Sequence, residues 1–185
     1  MKKILFAALA LMTSLAFAGS VTVEGTNYNT LNGGADQKGA LISFSENINK
    51  TFSVQTAVST IQTETSNAIG SRLEAGVTAT VPLFGPVVGS TKVALGQKYS
   101  TKGQFTYYLV EPAIAVPLSN SLTAKVAYRF RTAAENPNVN NDTTQTVRVG
   151  LNYAINKEYT VGTRYDRVTG DSRQDAVSIN FTRSF

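Results

Sequence analysis

Apolar and polar residues alternate along much of this 185-residue chain. Over Arg72–Val81 the odd-numbered residues are apolar and the even-numbered ones are polar or small. The same period of two returns over Leu122–Arg131 and Thr146–Ile155. Successive side chains of a strand point to opposite faces, whereas a helix would spread each apolar set around its circumference. The pattern therefore predicts β-strands that each have one apolar and one polar face.

Extended along the chain, this pattern predicts ten strands, and every connection between them contains Gly, Pro, Asn, Asp or Ser. Short connections alternate with longer or more polar ones. A meander with tight turns at one end and longer loops at the other is typical of outer-membrane barrels. The predicted strands are Val21–Asn29, Gly39–Asn47, Thr51–Thr63, Ser71–Val81, Val87–Lys98, Gln104–Val116, Ser121–Ala133, Thr143–Ile155, Tyr159–Val168 and Asp175–Phe185.

The placement of charge distinguishes a barrel in lipid from a barrel in water. A soluble domain carries charge on about 25–35% of its surface residues, but only 16% of this whole chain is charged. On the clearest strands the ionisable residues share the face opposite the apolar one. We therefore expect the apolar face to meet lipid, where unpaired backbone groups are costly and the sheet must close. The predicted fold class is all-β, an antiparallel up-and-down transmembrane β-barrel of ten strands, with eight or twelve as alternative counts.

Aromatic residues fall near the ends of the predicted strands, where membrane proteins place interfacial girdles. Those expected near the short turns are Phe52, Tyr153, Tyr159 and Phe185, and those expected near the longer loops are Tyr107, Phe130 and Tyr165.

The first eighteen residues have the pattern of a secretory signal peptide. Met1–Lys3 is basic, Ile4–Phe17 is apolar, and Ala16–Ala18 has the small-x-small form of a cleavage site. The apolar stretch is short for a membrane anchor and contains Thr13 and Ser14. We predict a cleaved segment at residues 1–18 and one barrel domain at residues 19–185. Removing two lysines lowers the net charge of +5 by two, which argues against nucleic acid as a partner.

The last strand adds a resemblance to a known group of proteins. Val177, Ile179, Phe181 and Phe185 alternate with Ser178, Asn180, Thr182 and Ser184. This pattern resembles the C-terminal strand signature of Gram-negative outer-membrane proteins, which ends in an aromatic residue. The resemblance implies an outer-membrane location, surrounding outer-membrane lipid, and the barrel-assembly machinery as a partner that recognises Phe181 and Phe185. Arg183 departs from the pattern by falling on the apolar face, where a strand-end arginine can snorkel to the interface.

The polar face predicts a basic lumen. Its acidic members are Glu24, Glu74, Glu111 and Asp166, and its basic members are Arg72, Lys92, Lys98, Lys125, Arg129, Arg131, Arg148 and Arg164. Ladders of Arg and Lys in a pore favour anions, and planar guanidinium groups suit carboxylate and phosphate. We expect Glu111 and Asp166 to hold basic side chains off the pore axis.

Two interpretations of this lumen stay open. A barrel of about eight strands is filled by its own side chains, whereas a wide channel needs about 16–18, so paired charges can plug ten strands. Small inward residues instead leave room for a pore, and these are Gly76, Ala94, Gly96, Ala113, Ala115, Ala127, Gly150, Ala154 and Gly162.

Catalysis and metal binding are not expected. The chain contains no histidine and no cysteine, so the commonest general base and thiolate chemistry are missing. Glu135–Asp142 is rich in Asn and Asp but lacks an EF-hand spacing, and we interpret it as an external loop. We expect no cofactor. The sequence favours a porin-like barrel for passive diffusion of small anionic solutes, and the alternative is a closed barrel for structure or surface recognition.

Overall fold

The computed structural model describes residues 19–31, 34–65, 68–100, 103–134 and 143–185, and all ten predicted strands are present in it. Their bounds are β1 Gly19–Thr30, β2 Gln37–Asn47, β3 Phe52–Thr63, β4 Ile69–Phe84, β5 Val87–Ser100, β6 Gly103–Pro117, β7 Leu122–Ala133, β8 Thr144–Ala154, β9 Tyr159–Gly170 and β10 Gln174–Ser184. The largest difference from prediction is β4, which continues through Pro82 to Phe84. Gly85 then turns the chain with a φ of 52°, a conformation that glycine adopts without strain.

The sheet closes on itself. Each strand pairs antiparallel with its neighbours in the chain, and β1 pairs with β10 from Ser20 opposite Ser184 to Thr30 opposite Gln174. Closure removes both sheet edges, so no strand is left with a free row of backbone donors and acceptors. The predicted fold class and the count of ten strands are confirmed.

Apolar side chains cover the outside of the barrel, and polar ones point inward. Val126, Leu95 and Ile179 are 53%, 63% and 66% exposed, whereas Glu24 and Asp166 are buried. This is the reverse of a soluble globular domain, in which Leu and Ile are buried and carboxylates face water. The arrangement matches a barrel whose outer surface meets hydrocarbon.

Most of the predicted girdle lies on the outer surface. Phe52, Tyr153, Phe185 and Tyr165 are exposed there, and Tyr159 stacks on Phe181 with ring centroids 5.6 Å apart.

The prediction for Tyr107 is wrong. Its side chain points into the barrel and is 1% exposed, and the next residue, Tyr108, takes the outward position. The girdle prediction rests only on the closeness of Tyr107 to a strand end, whereas the alternation places Tyr107 on the face of Glu111, four residues later. Leu109, between them on that face, is also buried inside the barrel.

Arg183 lies on the outer face, as its sequence position predicts. Its guanidinium group sits over the ring of Phe185 at 4.9 Å and over that of Tyr159 at 5.8 Å. Cation–π contacts of this kind stabilise a cation at the end of a lipid-facing strand. Tyr159 and Phe185 thus stabilise the one residue of β10 that departs from the C-terminal pattern.

Two sequence predictions fall outside the described residues, namely the signal peptide at residues 1–18 and the external loop Glu135–Asp142. Within the described ranges, no helix has the length and apolar character needed to cross a membrane.

Candidate functional site

The barrel encloses a cavity of about 380 Å³ that is lined by residues from all ten strands. It extends from Thr22 and Thr182, near the short turns, to Tyr28 and Arg72, near the longer loops. Seven of the eight basic residues predicted to face the lumen border it, namely Arg72, Lys92, Lys125, Arg129, Arg131, Arg148 and Arg164, whereas its lining does not include Lys98. Glu74 and Glu111 border it as well, while Asp166 lies against the wall, 4% exposed.

Glu111 joins two arginines on one wall of the cavity. β6 and β7 pair at Val110–Phe130 and at Ala113–Ala127, and this register places Glu111 opposite Arg129. Arg129 Nε donates to Glu111 Oε2 at 2.5 Å. Arg148 of β8 reaches the same oxygen with Nη1 at 3.0 Å. It does so across β7, where its register partner is the small residue Ala127. Its other terminal nitrogen, Nη2, lies 3.3 Å from Asp166 Oδ2.

Arg164 extends this chain of charges towards β1. Its Nη1 and Nη2 donate to Glu24 Oε2 and Oε1 at 2.7 and 2.8 Å, and its Nε donates to Asp166 Oδ1 at 2.8 Å. The guanidinium group spans β10 above Ser178, whose side chain is fully buried. Bidentate arginine–carboxylate pairs have a fixed geometry, so this contact holds Arg164 against the wall.

A second group of contacts forms around Glu74. Lys92 Nζ donates to Glu74 Oε1 at 2.5 Å and to Gln55 Oε1 at 2.6 Å. The hydroxyl of Tyr107 donates to the other carboxylate oxygen at 3.2 Å. Gly96 makes this possible, because a Cβ there would overlap the Tyr107 ring.

We define the ion-pair belt as eight lumen side chains that form ion pairs with one another, namely Glu24, Glu74, Lys92, Glu111, Arg129, Arg148, Arg164 and Asp166. Each ion pair in the belt joins positions on the same strand, on adjacent strands or on strands one apart. The belt therefore follows the wall and does not cross the lumen. Across from it, β2 and β3 contribute the uncharged residues Leu41, Ser43, Ala57 and Ser59 to the cavity lining.

Basic side chains outnumber acidic ones in the lumen. The described strands direct eight basic and four acidic residues inward, and the four acids pair within the belt. Outside the belt are Arg72, Lys98 and Arg131, near the longer loops, and Lys125, towards the short turns. Lys98 lies over the Phe105 ring at 5.1 Å, and Arg131 over the Tyr107 ring at 5.4 Å.

Sequence reasoning missed three residues that support the belt, namely Gln55, Tyr107 and Ser178. Gln55 and Ser178 occupy inward positions of their strands, so the alternation contained a usable signal for them. Tyr107 shares the face of Glu111, so the alternation contained a signal for it too, which the prediction of an aromatic girdle overlooked. Among the described residues, no cluster of acidic side chains is suited to hold a metal ion.

Comparison with known proteins defines the fold. No protein-family model matches the sequence, and no curated protein matches it. Among solved structures, an outer membrane channel from Pseudomonas putida F1 is similar at a TM-score of 0.59 and 7% identity, covering 93% of this chain and 97% of that one. The NanC porin is similar at 0.50 and 8% identity, covering 91% and 100%. The chain thus has the fold of outer-membrane β-barrels, as its sequence predicts.

Proposed function

We propose that this protein is a narrow porin-like channel for passive diffusion of small anionic solutes across the outer membrane. The observation that carries the proposal is the direction of the ion-pair belt. Its pairs lie along the wall beside a cavity lined by all ten strands, whereas a plug would need pairs that cross the lumen. The belt then holds long charged side chains away from the axis.

The excess of basic residues supports a preference for anions. A lumen of one net sign within low-dielectric walls concentrates ions of the opposite sign, and rings of Arg and Lys in pores favour anions. Three of the four basic residues outside the belt lie towards the longer loops and one lies towards the short turns. An anion that crosses the lumen therefore meets positive charge on each side of the belt. A ten-stranded barrel is close to the filled limit of about eight strands, which supports small solutes.

The wall formed by β2 and β3 supports a path for those solutes. Ser43, Ala57 and Ser59 project little volume into the cavity, whereas the opposite wall carries the bulky guanidinium groups of the belt. A solute passing along β2 and β3 has hydroxyl groups on one side and fixed positive charge on the other. The low-identity channel and porin structures agree with a channel through the shared fold.

The outer-membrane location and assembly route are part of the proposal. Phe181 and Phe185 both lie on the outer face of β10, where a recognising partner reaches them. This placement supports their proposed role as an assembly signal for the barrel-assembly machinery. We propose no catalytic activity.

Planar-bilayer recording tests the transport function. The purified wild-type protein should give discrete conductance steps, with reversal potentials in a salt gradient that favour anions. Arg129→Glu combined with Arg148→Glu should shift the reversal potential towards cations, because both residues border the cavity. Lys50→Glu combined with Lys157→Glu is the matched control, since it makes the same charge change at exposed short turns. Silent bilayers from folded wild-type protein would overturn the proposal.

The alternative is a closed barrel for structure or surface recognition. The number of ion pairs in the belt favours it, because a fully paired polar network makes a lumen rigid and a barrel of ten strands is close to the filled limit. In that case the wild-type and charge-reversed proteins would both be silent, and function would lie in the external loops.

A further inference from the structure

Lys125 differs from the lysine and arginines of the belt. It points into the lumen from β7, and its side chain is exposed to the cavity. Its register partners on the two neighbouring strands are the small residues Ala115 and Gly150, and the stem of Arg164 lies beside Gly150. It makes no hydrogen bond or ion pair with another described residue. Its ammonium group therefore faces open space within the barrel.

The charges around Lys125 are mainly positive. Its strongest electrostatic interactions are with Glu111 and with Arg148, Arg164 and Arg129. Glu111 is already shared by Arg129 and Arg148, and Arg164 is bound to Glu24 and Asp166. Gathering a fourth cation beside three others costs free energy unless an opposite charge is close. A mobile anion from solution supplies that charge.

We propose that Lys125 is the centre of a binding site for a small monovalent anion, such as a halide or a short carboxylate. An ammonium group is a compact charge with three donors, which suits a spherical or singly coordinated anion. The cavity of about 380 Å³ that Lys125 borders has room for an ion of that size. Binding stands independently of transport, while the role of the site as a step in permeation depends on the proposed channel function.

Chloride binding tests the site directly. In ³⁵Cl NMR titrations of the folded protein in detergent, wild type should broaden the chloride line in a saturable manner. Lys125→Gln should weaken the saturable component at least about threefold, because the nearest fixed charge is lost. Lys125→Arg should retain it, and Lys157→Gln, which removes a lysine from an exposed turn, should leave it unchanged. Unchanged broadening in Lys125→Gln would overturn the site.

Reversal potentials distinguish the role of Lys125 in anion permeation from the channel function itself. If wild type conducts anions, Lys125→Gln should reduce the ratio of anion to cation permeability, and Lys157→Gln should not. An anion-selective wild type with an unaltered Lys125→Gln variant would contradict the permeation role and leave the channel intact. Chloride binding that depends on Lys125 in a silent protein would instead support the site and contradict the channel.

Discussion

Gly96 shows how a single residue shapes the lumen. The Tyr107 ring lies against the backbone of Gly96 on the neighbouring strand, and its hydroxyl reaches Glu74. The sequence predicts that Gly96 leaves space for a pore, but in the structure the Tyr107 ring fills that space. Gly162 is similar, since a Cβ there would overlap the side chains of Asn152 and Asn180. Inward glycines at these sites receive side chains from neighbouring strands.

We expect Gly96→Ala to destabilise the barrel by about 1–3 kcal/mol, the usual cost of overpacking a filled site. The added methyl group overlaps the Tyr107 ring and displaces its hydroxyl from Glu74. Urea unfolding in lipid vesicles measures the difference. Gly25→Ala is the control, because nothing lies within 4 Å of its added Cβ. Equal stability of the two variants would contradict this account, and Gly96→Ala with Tyr107→Ala should remove the overlap.

Glu111 is the acid on which one part of the belt depends. Glu111→Gln leaves Arg129 and Arg148 without the charge they share, and we expect a loss of about 1–3 kcal/mol in unfolding free energy. The net lumen charge becomes more positive, so the reversal potential of a conducting channel should move further towards anions. Glu158→Gln, at an exposed short turn, serves as the control for both measurements. A stability equal to wild type would show that the contact is not maintained in solution.

At the scale of the strand, alternation predicted both the elements and their faces. It succeeded on β4, β7 and β8 because their two faces differ sharply in polarity. The wrong prediction for Tyr107 came from its closeness to a strand end and not from the alternation, which places it on the face of Glu111. The partners within the belt were beyond sequence reasoning, since they depend on how neighbouring strands are staggered. That stagger brings Arg148 to Glu111 across an intervening strand.

The two faces of β3 provide a direct test of orientation. Val58 lies on the outer face, 51% exposed, and its neighbour Ala57 lines the cavity opposite Glu74. We expect Val58→Lys to cost about 2–4 kcal/mol, the penalty for a lysine on the lipid face near the midplane. Ala57→Lys should cost clearly less, because its ammonium group can approach Glu74. Unfolding free energies in vesicles compare them, and a larger cost at Ala57 would reverse the assigned faces.

At the scale of the whole molecule, closure creates the enclosed lumen, and the composition of its walls divides it into two sides. The belt occupies the wall from β4 through β9 to β1, and the small uncharged residues occupy β2 and β3. The closed fold followed from the sequence because lipid forbids open edges. The division into two sides did not, because it requires knowing which contacts each charge makes.

A bulky side chain on the uncharged wall formed by β2 and β3 should block the proposed channel without changing the net charge of the lumen. Ser59→Trp places a large ring into the cavity from β3, and we expect it to reduce conductance strongly. Val58→Trp adds the same ring to the lipid-facing side of the same strand and should conduct as wild type does. Single-channel recording of the two folded variants makes the comparison. Equal conductance would show that solutes do not pass along β2 and β3.

Chloride efflux from proteoliposomes tests directly whether an open basic path runs beside the belt. Vesicles containing folded wild-type protein and an internal chloride salt are diluted into a chloride-free medium, with a potassium ionophore to balance charge. A chloride electrode then follows release. We expect vesicles with the wild-type protein to release chloride much faster than protein-free vesicles, and vesicles with the Ser59→Trp variant to release it more slowly than wild type. Wild-type release no faster than that of empty vesicles would contradict this expectation.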